Sequence, residues 1–108
     1  MLQTNMNHLP TIALGDPLLL ELARKHIWWK SPSEALEFPS RVVAQAMDRG
    51  SFDDINAIIE NYGEELLRVT LQNAEAGQFS KRSWHYWHYR LGLAASGRVP
   101  SLPVRVIP

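Results

Sequence analysis

Between Pro39 and Leu93 the chain is punctuated at short intervals by residues that start and stop helices, which leaves room for little except a compact set of short helices. Ser40 reads as the cap of a helix that carries Val42, Val43, Ala46 and Met47 inward and closes at Gly50. Ser51 with Asp54 three residues on has the form of a capping box, in which hydroxyl and carboxylate each take the other's backbone N–H. The helix it opens sets Ile55, Ile58 and Ile59 on one stripe and ends at Asn61-Tyr62-Gly63. Glu64 and Glu65 then sit where a helix dipole favours negative charge, ahead of a segment with Leu66, Leu67, Thr70, Leu71 and Ala74 on its inner face that runs up to Gly77. Ser80 caps the last helix of the stretch, which ends near Leu91 with Gly92 as its stop. Links this short force neighbouring helices to lie side by side.

Upstream, Asp16-Pro17 is another start signal, because a carboxylate can accept from the first free amides and proline lacks the donor that would be orphaned at the first helical position. The apolar spacing of Leu19, Leu20, Leu22, Ala23 and Ile27 predicts a packed helix to about Trp29. Ser31-Pro32-Ser33-Glu34 predicts a second, short helix that Pro39 stops after Phe38. Residues 1–15 are expected to form a loosely held N-terminal arm. Residues 94–108, with three prolines in the last nine positions, are expected to be an extended basic tail, mobile or laid across the surface. With almost no alternating pattern before Val104, the chain reads as all-α. The expectation is a compact orthogonal bundle of about five helices forming a single helical domain over residues 16–93, followed by the proline-containing tail.

A chain of 108 residues can bury one core, and 45% apolar with 20% charged residues places it among globular proteins. Without cysteine there is no disulfide, zinc ribbon or thiol nucleophile. No apolar run is long enough to cross a bilayer, and the N-terminal residues lack the basic leader and apolar stretch of a secretory signal, so a cytoplasmic protein without membrane contact is expected. The net charge of zero hides a gradient. Residues 1–77 hold all 11 acids and 6 of the 11 basic residues, a balance of −5, whereas residues 78–108 hold the other 5 basic residues and no acid, a balance of +5. Such a chain either carries a basic end able to steer an acidic partner or folds its tail against its own acidic body.

Few residues point to chemistry. Four tryptophans are a large apolar payload for so small a chain, so Trp28, Trp29, Trp84 and Trp87 are expected in the core, the alternative being anchors of a binding surface. On the last helix Trp84, Trp87, His88 and Leu91 share the inward stripe, while His85, Tyr86, Tyr89 and Arg90 spread over the rest of its surface. His85 and His88 meet on adjacent turns but lack the further ligands that zinc requires, so no metal or other cofactor is expected. Asp53-Asp54 and Glu64-Glu65 fall in first turns of helices, and adjacent residues there point about 100° apart, so neither pair converges on one substrate atom. With no phosphate loop, no Ser/His/Asp set and no HExxH, an enzyme is not expected. Residues 51–76 have the outline of a helix-turn-helix, but its second helix opens on Glu64 and Glu65, where a DNA reader approaches phosphates.

The order Trp28-Trp29, Arg41-Val42-Val43, Arg49-Gly50-Ser51-Phe52, Asn61-Tyr62-Gly63, Ser80 to Trp87 and Leu91-Gly92-Leu93 resembles a family of short bacterial helical proteins built on a domain of unknown function. Members of that family are often encoded beside abortive-infection nucleotidyltransferase toxins, so the resemblance, over residues 26–93, implies an antitoxin-like or toxin-associated role.

Together these features lead to the expectation of a protein-binding module that sequesters a partner enzyme such as a nucleotidyltransferase-type toxin. Lys81, Arg82, Tyr86, Tyr89 and Arg90 would form the contact surface, and Arg98 and Arg105 would steer association. Two alternatives use the same residues differently. A nucleic-acid-binding regulator would place a phosphate on the free amides beside Lys81 and Arg82, and a self-associating protein would seal a homodimer with exposed tryptophans.

Overall fold

A computed structural model describes residues 16–104, which form six helices and no strand. They are α1 (Pro17–His26), α2 (Pro32–Ala35), α3 (Pro39–Arg49), α4 (Phe52–Tyr62), α5 (Glu64–Gln72) and α6 (Lys81–Arg90). The expected N-terminal arm and Arg105 lie outside the described residues. No helix among them is long and apolar enough to cross a membrane.

The helix starts follow the predicted cap chemistry at four of the six positions. Asp16 Oδ1 accepts from the Leu18 and Leu19 amides at 3.0 and 3.2 Å. Ser31 with Glu34, and Ser51 with Asp54, close complete capping boxes. Ser80 Oγ accepts from the Ser83 amide at 3.2 Å. The exception among the predicted caps is Ser40, which lies inside α3. Phe38 is the N-cap and makes no side-chain hydrogen bond, because Pro39, with its ring-fixed φ, takes the first helical position. The other helix without a side-chain cap is α5, which follows Gly63 directly.

Helix ends depart from expectation more often. The first helix stops at His26 rather than near Trp29: the Ile27 N–H closes on Ala23 O and the chain turns out through Trp28 and Trp29 to reach Ser31-Pro32. Pro32 keeps Ser31 extended, at φ −66° and ψ 153°, so the chain is out of the helical region where α2 begins. The fifth helix stops at Gln72, where the backbone and side-chain nitrogens of Asn73 both donate to Val69 O, at 3.0 and 2.9 Å. At the end of α6 the expected Gly92 stop is present at φ 71°, with Leu93 N–H on His88 O and Gly92 N–H on Tyr89 O, the two bonds of a Schellman turn.

Helix α3 is the hub and packs against each of the other five. Its Val42, Val43, Ala44 and Ala46 are sealed among Leu19, Leu22, Leu36, Ile58, Leu67 and Leu71. Small and β-branched side chains along α3 let the surrounding helices approach closely, and the larger leucines fill the gaps between them. The tail is laid on this body as far as it is described. Val99 and Leu102 pack part-buried on the core, and Trp84 Nε1–H donates to Pro100 O at 2.7 Å.

Candidate functional site

Helix α6 is held by its inward stripe. Trp84, Trp87, His88 and Leu91 are all buried, as their spacing predicts. Trp87 Nε1–H donates to Met47 O at 2.8 Å, and His88 Nδ1 lies 2.8 Å from Trp84 O, so that nitrogen carries a proton and donates. At the start of the helix Asp48 accepts from the Ser80 amide at 2.9 Å and from the Ser83 hydroxyl. These contacts fix which side chains α6 turns outward.

The outward residues fall into two groups. Arg82, Tyr86 and Arg90, four residues apart, line a groove of about 450 Å³ together with Phe52 from the first turn of α4. Met47, Ile55 and Trp87 form its apolar floor. Phe52 is 76% exposed and Tyr86 54% exposed, so the two rings stand at the mouth. Lys81, His85 and Tyr89 lie on the other flank. There the Tyr89 ring is 46% exposed and meets His85 edge-on, and its hydroxyl accepts from the Gly97 amide at 3.4 Å. The structure therefore brings Arg82, Tyr86 and Arg90 together and sets Lys81, Tyr89 and Arg98 apart from them.

The positive charge of this end is partly neutralised by the body. Arg90 Nη1 is 3.2 Å from Glu64 Oε2, while Arg68 reaches Glu64 Oε1 at 2.5 Å and Leu91 O at 3.1 Å. Hydrogen bonds from Arg90 and then Arg68 hold the Glu64 carboxyl below its ordinary range. Lys81, Arg82 and Arg98 are exposed and take part in no ion pair among the described residues. The body thus neutralises Arg90 but, among the described residues, not Lys81, Arg82 or Arg98.

Of the paired carboxylates, Asp54, Glu64 and Glu65 have structural partners. Asp54, besides closing its capping box, accepts from Lys25 Nζ at 3.0 and 3.1 Å and faces His26 Nε2 at 3.0 Å. Burial alone would raise its pKa, but the bonds from His26, Lys25 and the Ser51 amide together outweigh this and hold it at about 2. Tyr62, at the other end of α4, has its hydroxyl shut off from solvent, and burial followed by the neighbouring Asp16 raises its pKa. Among the described residues no group of three or more His, Asp and Glu is placed to hold a metal ion.

Two features carry no clear signal in the sequence. Phe52 follows a cap and reads there only as a first-turn residue. Trp28 and Trp29, expected in the core, are 78% and 56% exposed because α1 ends before them. Trp29 and Phe38 border a second surface cavity of about 480 Å³. Over it Arg41 stacks 4.3 Å from the Phe38 ring centre and pairs through Nε with Glu75 at 2.9 Å.

Comparison with known proteins finds no matching family model, no matching curated protein and no matching solved structure.

Proposed function

We propose that this chain is a cytoplasmic protein-binding module that docks a partner through the outward face of α6, with the groove between Phe52 and Tyr86 as the anchor site. The observation that carries this reading is the pairing of exposure with rigidity. Tyr86 presents aromatic area to solvent beside the buried Trp87, and Phe52 does so from the first turn of α4, which the Ser51–Asp54 capping box holds in place. Arg82 beside them forms no ion pair among the described residues. Aromatic rings and arginine over an apolar, preformed floor are the composition of interface centres, where little ordering entropy remains to be lost on binding. The exposed Lys81, Tyr89 and Arg98 widen the same end into a rim.

The partner class follows from the resemblance of residues 26–93: a nucleotidyltransferase-type toxin held inactive in an antitoxin-like complex. A nucleic-acid regulator acting through the same helix is disfavoured by Asp48, whose carboxylate lies against the Ser80 amide where a phosphate would have to sit.

Co-expression with a nucleotidyltransferase toxin from the same host tests the reading. The expected result is growth rescue and co-purification with the native chain, with both lost in Phe52→Ala/Tyr86→Ala. Absence of both with the native chain, alongside salt-sensitive retention on DNA or RNA, would overturn it.

A further inference from the structure

The α6 groove has a charge pattern as well as a shape. Arg82 and Arg90 stand eight residues apart on one helix, about 12 Å along its axis. Between them the Tyr86 and Phe52 rings frame the apolar floor. Asp48, the acid in the lining, faces inward to Ser80 and Ser83 and has Arg49 Nε at 3.7 Å, so its charge is engaged within the protein. Arg49 itself is exposed beside this end. Arg90 uses Nη1 for Glu64, and no ion pair is formed by its remaining nitrogens or by Arg82 among the described residues. Asp53, next to Phe52, is not part of the lining.

Resting on the docking surface proposed above, we infer that the groove takes about two turns of a partner's acidic amphipathic helix. A large apolar side chain seats between Phe52 and Tyr86, and a carboxylate on either side pairs with Arg82 and Arg90. On a helix, acids at positions i and i+7 lie about 10 Å apart on one face, with i+3 between them on that face. That spacing matches the two arginines. A helix also has its backbone hydrogen bonds satisfied internally, which suits a groove whose floor offers side chains of Met47, Ile55 and Trp87 rather than a sheet edge.

The test uses the full chain, isotope-labelled, and three capped alanine-rich peptides of about 15 residues. The first carries Glu at i and i+7 with Phe at i+3. The second keeps the composition but moves the two Glu to i+2 and i+5, on the opposite face. The third replaces both Glu of the first by Lys. The first peptide is expected to shift the Trp87 indole N–H and the amides of Phe52 and Tyr86. Its affinity should exceed that of the second by about tenfold, and should fall as salt is raised. Arg82→Glu, a change at an exposed residue, should weaken the first peptide by a similar factor and bring in the third.

Equal binding of the first two peptides, no binding of any, or an Arg82→Glu chain indifferent to peptide charge would overturn the inference. So would a peptide-free dimer, seen by sedimentation, that Phe52→Ala dissolves, because a second copy would then be the occupant. Loss of toxin capture in Phe52→Ala/Tyr86→Ala reports on the docking site itself. A chain that captures toxin through those rings yet ignores the peptides therefore refutes only the acidic-helix ligand.

Discussion

The indole N–H of Trp87 donates to the carbonyl of Met47, 40 residues earlier in the chain, at 2.8 Å in a buried setting. Met47 belongs to the last turn of α3, where carbonyls have no helical amide four residues on. The tryptophan of the last helix thus supplies the partner that the hub helix lacks.

Trp87→Phe tests that bond apart from ring burial. Phenylalanine keeps much of the buried area but leaves the Met47 carbonyl unpaired, at a cost of about 1–3 kcal/mol. Tyr86→Ala, one residue away but at the exposed groove mouth, should change stability by no more than about 0.5 kcal/mol. Urea denaturation of the two variants measures the contrast. Equal losses would mean that Tyr86 is a packing residue rather than a surface anchor.

The cluster of Lys25, His26 and Asp54 predicts a specific acid limb. The folded pKa of Asp54 is about 2, below its ordinary 3.8, so the native state binds its proton less tightly than the unfolded chain does. The stabilisation is fully present above the ordinary value and is lost as pH falls from about 4 through about 2. At 12% side-chain exposure the group is little screened, and the shift corresponds to about 2 kcal/mol. Asp54→Asn should therefore cost about that much at pH 7, with native and variant stabilities converging towards pH 2. Denaturant midpoints at pH 7, 4 and 2 measure it. A gap that stays constant would show that the asparagine loses only geometry.

Two glycines should fail for different reasons when replaced by alanine. Gly50 has an ordinary φ of −76°, but a Cβ there would run into the backbone oxygen of Ala46 and come within 3.1 Å of Asp54 Oδ2. Gly63 has open space around it, but its φ of 89° and ψ of 160° belong to a region that side chains other than hydrogen scarcely enter. Each substitution should cost about 1–3 kcal/mol. Only Gly50→Ala should also shift the NMR resonances of the Ser51–Asp54 box, because only there does the new methyl touch a neighbour.

Much of this architecture is legible in local sequence because its causes are local. Ser51 and Asp54, or Ser80 and Ser83, find each other within one turn, and the inward stripe of α6 follows from helical spacing alone. Helix ends were less legible where no glycine marks them, as at His26, and this is why Trp28 and Trp29 turned from expected core residues into surface ones. Within the groove, Arg82, Tyr86 and Arg90 were readable as an outward face. Phe52 and Asp48 were not, since 30 or more residues separate each from its α6 neighbours and only the packing of α3, α4 and α6 brings them together.

Removing residues 99 onward tests whether the tail belongs to the body or to the docking surface. The Trp84 indole would lose Pro100 O, and the core would lose the partial cover of Val99 and Leu102. One hydrogen bond at about 1 kcal/mol and two half-buried aliphatic side chains at about 1 kcal/mol each predict a loss of about 3 kcal/mol. Newly hydrated Trp84 should move the fluorescence maximum to longer wavelength. The groove residues Phe52, Arg82 and Tyr86 touch none of the removed contacts, so at temperatures where the truncated chain is folded its partner affinity should match that of the full chain. Full stability after truncation would show that the tail adds nothing to the fold. Retained folding with lost affinity would instead place part of the docking surface on the tail and move it off the groove.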